Sequence, residues 1–85
     1  MREEIRNIGF NEQIVSVSGR SLHVQTEVAG MRTPVIRSVV LDGGIVRHLK
    51  SQPFPVDVEN LGYARSIIES QHREVVKLVT TGQIR

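Results

Sequence analysis

The chain has 85 residues, 11 Lys and Arg against 9 Asp and Glu, a formal charge of +2, and 39% hydrophobic residues. That is the length of one domain and the composition of a folded globular chain rather than a disordered tail. The lack of Cys excludes disulfides, Cys-ligated zinc and thiol catalysis, and Phe10, Phe54 and Tyr63 are too few aromatics for a stacking platform.

No stretch approaches the roughly 20 apolar residues of a membrane span. The acidic start, Met1-Arg2-Glu3-Glu4, has no apolar run of signal-peptide length. A cytoplasmic location without a membrane partner is the expectation. Residues 1–85 read as a single domain, with 1–11 a flexible arm or a short extra strand.

Residues 12–29 carry the clearest pattern. Val15, Val17, Leu22, Val24, Thr26 and Val28 alternate with Ser16, Ser18, His23, Gln25 and Glu27. A period of two marks strands with one wet face. Gly19-Arg20 suits a type II′ turn. Pairing Ser18 with Ser21 then sets Val17 opposite Leu22 and Ser16 opposite His23, with Ile14 the one large apolar residue outside the common face. Residues 34–41 and 44–50 flank Asp42-Gly43, a second hairpin signal. Gly44 leaves its register open. Leu41 pairs with Gly44 across a two-residue turn, or with Ile45 across a bulged loop.

Pro53 and Pro55 read as an extended linker. A helix over 57–81 follows, capped by Asp57 or Asn60 and stopped by Gly82. Its apolar positions, from Leu61 to Val79, cover about a third of the circumference, as on a helix packed against a core. Gln71 falls inside that arc and His72 at its edge. Thirteen valines and eight isoleucines favour strands over a bundle. The expected fold is α+β: a four-stranded antiparallel sheet over 12–50, made of two hairpins, followed by one C-terminal helix.

Several local patterns stand together: Leu22-His23-Val24-Gln25-Thr26-Glu27, Val35-Ile36-Arg37-Ser38, Gly43-Gly44-Ile45, and Gln71-His72 ten residues before Gly82. Over residues 14–82 the chain resembles an uncharacterised bacterial domain family with a His-Val-Gln-Thr-Glu strand and a Gln-His pair in its last helix. The resemblance implies a bacterial source and no particular chemistry. Arg37-Ser38 and His48-Leu49 depart from the Thr- and Ser-rich segments expected of it.

The candidate binding residues are His23, Gln25 and Glu27, which form a polar row on one strand face, together with Gln71 and His72. A buried Gln must find partners, in the fold or at an interface. An alternative anion or nucleic-acid surface combines Arg37, Arg47, His48 and Lys50. His23 and Glu27 stand about 13 Å apart on a strand and cannot share a metal ion. Ser16 and His23 have the types of a nucleophile and a base but no oxyanion hole beside them. No cofactor, metal or catalytic residue is expected. The expected function is a non-enzymatic protein-interaction or self-association module, with weak nucleic-acid or anion binding as the alternative. Tyr63 and Ile67 on one flank of the apolar arc of the helix, with Val58 and Val76 outside it altogether, are the candidate surface for a homodimer.

Overall fold

The computed structural model describes residues 1–55 and 57–84. A short helix α1 (Glu3–Arg6) leads into four strands, β1 (Gly9–Val15), β2 (Ser21–Ala29), β3 (Val35–Asp42) and β4 (Ile45–Pro53). A long helix α2 (Leu61–Thr80) closes the chain. The strands form one antiparallel sheet in the order β1-β2-β3-β4. The fold is the expected sheet of two hairpins with a C-terminal helix. The segment read as an arm or strand supplies α1 and the start of β1.

The ends of α2 follow from its sequence. Asn60 accepts the Tyr63 N–H at 2.8 Å, satisfying one orphan donor of the first turn. Past the last turn, Gly82 takes φ +81°, and the N–H groups of Gly82 and Gln83 return to the carbonyls of Val79 and Leu78. That closing geometry turns Ile84 back into the core.

The helix lies across one face of the sheet and contacts β1, β2 and β3. Leu22, Val24, Ile36, Val40, Ala64, Ile68, Val75 and Val79 are all fully buried between the two layers. Val58 and Ile67 pack against one apolar cluster and Val76 against the other, so three of the four candidate dimer residues serve the core. Tyr63 stays exposed.

The first hairpin corrects the expected register. Ile14 stands opposite Leu22, Gln13 opposite His23 and Val15 opposite Ser21. The loop is three residues, Val17-Ser18-Gly19. Ser16 donates to the Arg20 carbonyl at 2.8 Å and accepts from the Gly19 N–H at 2.9 Å. Gly19, at φ +84°, therefore fills the left-handed position that ends a three-residue loop, not the first centre of a II′ turn. An odd shift of register exchanges faces. Val15 and Val17 are 68% and 62% exposed, Ser16 is buried, and Ile14 turns inward.

The second hairpin follows neither expected pairing. Gly43 and Gly44 form a two-residue turn that pairs Asp42 with Ile45 and Leu41 with Val46. One step on, a bulge shifts the ladder, so Val40 pairs with His48 and Val39 with Leu49. Without that extra residue, Val46 and Leu49 would point to opposite faces. With it, both stand on the face away from α2.

Candidate functional site

Two places concentrate the residues singled out above, one on each face of the sheet. Between sheet and helix the core divides into two apolar clusters, one around Ile36 and Ile68, the other around Leu22, Val24 and Val75. The buried polar residues Thr26, Ser38, Gln71 and His72 lie where they meet, each at most 3% exposed. The amide of Gln71 donates to the Ile36 carbonyl (3.1 Å), to Ser38 Oγ (3.0 Å) and to the Lys50 carbonyl (3.4 Å). Ser38 Oγ stands 2.7 Å from Thr26 Oγ1, and Thr26 Oγ1 stands 2.7 Å from His72 Nδ1. His72 Nε2 meets Glu12 Oε1 at 2.6 Å.

One direction of donation satisfies the whole chain. Ser38 accepts from Gln71 and donates to Thr26, which donates to Nδ1 of His72, which in turn donates through Nε2 to the Glu12 carboxylate. Each bond polarises the next in this low-dielectric interior. Phe10 stacks on His72 at 5.4 Å between ring centroids, and the Arg65 guanidinium lies 5.1 Å over Phe10. The network thus pins β1, β2, β3 and α2 together through side chains. Gln71 Oε1 is buried with no hydrogen-bond partner.

Glu12, His72 and Thr26 have the order carboxylate, imidazole, hydroxyl, as in a nucleophilic triad. Their surroundings differ from one. Thr26 is 1% exposed, inside the core and already bonded to Ser38, so no substrate carbonyl reaches its oxygen in this conformation. Two surface clefts lie elsewhere. One runs along the outer side of α2, past Ser66, Ser70 and Lys77. The other, between α1, the start of β1 and the start of α2, is lined by Glu4, Ile8, Gly9, Leu61 and Arg65. At its rim, the Arg2 guanidinium hydrogen-bonds the Glu4 carboxylate at 2.6 Å and holds its pKa below the ordinary value.

The outer face of the sheet carries the other group. His23, Gln25 and Glu27 project from β2 away from the helix, as the alternation places them. Cross-strand pairing extends each into a row. Gln13, His23, Leu41 and Val46 form one; Asn11, Gln25, Val39 and Leu49 form the next. The face is therefore split. In these two rows its β1–β2 half is polar and tied by a hydrogen bond between His23 and Asn11. Its β3–β4 half is a two-by-two block of Val39, Leu41, Val46 and Leu49. Val46 and Leu49 are each 58% exposed. In the row beyond, Arg37 pairs with Glu27 at 2.8 Å.

The sequence-derived candidates are thus brought together in part. Gln71 and His72 join the His-Val-Gln-Thr-Glu strand through Thr26, not through its outward residues. His23, Gln25 and Glu27 share the open face. Arg37, Arg47, His48 and Lys50 do not converge. Arg37 lies on the outer face, Arg47 binds Asp42 at 3.3 Å, and His48 and Lys50 sit on the inner side of β4. Lys50 is held by Glu74 at 2.5 Å. Ser16 meets Ser18, not His23. Among the described residues, no three metal-ligating side chains stand together, and no helix is long and apolar enough to cross a membrane.

Sequence reasoning missed Thr26, Ser38 and Glu12. The signal was hydroxyls at inward strand positions facing a Gln-His pair in the apolar arc of the helix. Compared with family models, curated proteins and solved structures, the chain matches none.

Proposed function

We propose that this domain is a non-enzymatic protein-interaction module that self-associates, docking the open face of its sheet on the same face of a second copy. The observation that carries the reading is the uncovered block of Val39, Leu41, Val46 and Leu49. The bulge in β4 brings Val46 and Leu49 to the same face, and none of the four packs in the core clusters.

The face is self-complementary. Take a two-fold axis in the plane of the interface, across the strands and midway between the two rows. It lays Val39 over Leu41 of the second copy, and Leu49 over Val46. The same axis lays Gln25 over His23 and Asn11 over Gln13. Apolar meets apolar and polar meets polar, as an isologous contact requires. Burying the block removes apolar area from water at about 25 cal/mol per Å².

Over the seven-residue length of β1, the shortest strand, the four strands present a face of about 19 by 23 Å, or roughly 440 Å² in projection. A standard interface buries about 800 Å² on each partner. Such a face pair belongs to the small, weakly held end of the interface range.

Sedimentation of wild type and Leu49→Glu over a range of concentrations tests the reading. The wild type gains mass with concentration. Leu49→Glu lowers the mass at each concentration without changing the unfolding midpoint of the dilute chain, because Leu49 is exposed there. Equal masses for the two chains at every concentration overturn the proposal.

A further inference from the structure

The two edges of the sheet are built differently. An exposed edge offers unpaired N–H and C=O groups to any strand that meets it, and folds blunt such edges with bulges, Pro and charge. β4 carries all three: the bulge at Arg47, Pro53, and the charges of Arg47 and Lys50. β1 reads Gly-Phe-Asn-Glu-Gln-Ile-Val, with no Pro, no bulge and one charge. That charge, Glu12, points inward to His72. Among the elements of the fold, β1 contacts only β2 and α2, so its outer side is uncovered. Ser16 N–H donates to Arg20, toward β2. By the alternation of antiparallel pairing, the N–H and C=O of Val15, Gln13, Asn11 and Gly9 point away from β2.

We infer that β1 pairs antiparallel with β1 of another copy, joining two sheets edge to edge into one of eight strands. The register centred on Glu12 uses the whole strand. It sets Asn11 opposite Gln13 of the partner, Gly9 opposite Val15, and Phe10 opposite Ile14, so every outward backbone group of β1 finds a partner. It covers Val15, 68% exposed in the free chain, and places it across from Gly9, where no side chain competes for the space. It joins Phe10 and Ile14, both half-buried, into an apolar pair on the helix side. The one unfavourable contact is Glu12 against Glu12 across the axis.

This edge pairing is independent of the face pairing, and the two axes are compatible. The edge axis runs normal to the sheet beside Glu12. The face axis lies in the interface plane between the rows of residues 11 and 13, also at the level of Glu12. Two perpendicular two-fold axes that meet generate a closed assembly of four chains, two eight-stranded sheets stacked face to face.

Sedimentation and amide hydrogen exchange on wild type and three variants test the inference. The wild type reaches the mass of four chains. Leu49→Glu stops at two, and the amides of Asn11, Gln13 and Val15 stay protected in that pair. Asn11→Pro, which removes an outward N–H and the side-chain bond to His23 but no bond of the β1–β2 ladder, stops at two chains with Gln13 and Val15 exchanging freely. Glu12→Gln keeps an acceptor for His72 and tightens the edge pair several-fold by removing the like-charge contact. The inference is overturned if the edge amides exchange freely at concentrations where the chain is fully associated, or if Leu49→Glu is monomeric. Loss of association in Asn11→Pro, with none in Leu49→Glu, removes the face reading and leaves the edge standing.

Discussion

The same strands present two unlike faces. Toward α2, apolar residues are fully buried, yet a belt of Thr26, Ser38, Gln71 and His72 interrupts them. Away from α2, polar residues dominate, yet Val39, Leu41, Val46 and Leu49 interrupt them. Each face holds a block of the wrong polarity for its surroundings, and the two blocks have different remedies. The buried polar belt is satisfied inside the chain, donor to acceptor, with Gln71 Oε1 the one atom left over. The apolar block, with Val46 and Leu49 exposed and Val39 and Leu41 half-buried, lies outside the core clusters, and the proposed association with another copy would remove it from water. Side chains one residue apart on β3, Ser38 and Val39, fall on opposite sides of this division.

The largest effect separates the faces most sharply. Val24→Asp places an unpaired charge in the core, which costs several kcal/mol, and a domain of this size has roughly 5–15 kcal/mol in all. Thermal unfolding monitored by circular dichroism should find that variant unfolded. Val17→Asp, on an exposed loop, should melt within a few degrees of wild type, and Ser16→Asp well below both Val17→Asp and wild type. Equal melting of the two loop variants would break the register derived for the first hairpin.

Next in size comes the belt. Thr26→Val keeps the volume but strands Nδ1 of His72 and a donor on Ser38, at about 1–3 kcal/mol by denaturant titration. Gln71→Leu is milder, about 1 kcal/mol or less, because the lost donor is offset by removal of the buried, unpaired Oε1. A larger penalty for Gln71→Leu than for Thr26→Val would contradict the bonding order Gln71, Ser38, Thr26, His72. On the outer face, Leu49→Ser should leave the stability of the dilute chain within about 0.5 kcal/mol. Smallest of all, Arg37→Ala removes only an exposed ion pair with Glu27 and should change stability by less than about 1 kcal/mol.

Much of this arrangement was legible in the sequence. The alternation of Leu22, Val24 and Thr26 against His23, Gln25 and Glu27 assigns β2 its two faces. The helical wheel puts Gln71 among apolar neighbours, and Asn60 and Gly82 mark where α2 begins and ends. What escaped were choices made by single glycines and one bulge. Gly19 can open a II′ turn or end a three-residue loop, and local pattern alone weighs both. The second, which turns Ile14 inward, is decided by tertiary packing on Leu22. The bulge between Val46 and His48 has no local marker, yet it sets which face carries Val46. Thr26 reads as an ordinary member of the inward set, and Ser38, in a hairpin of open register, has no assigned face until α2 is laid over them. Only then do their hydroxyls come within reach of His72 and Gln71.

The most direct test of the open face is a filtered nuclear Overhauser experiment on a mixture of two differently labelled populations of this chain, with methyl groups observed. The account predicts contacts between copies joining Val39 to Leu41 and Leu49 to Val46. Contacts between copies confined to α2 around Tyr63, or none from these four side chains at concentrations where the chain is associated, would contradict it.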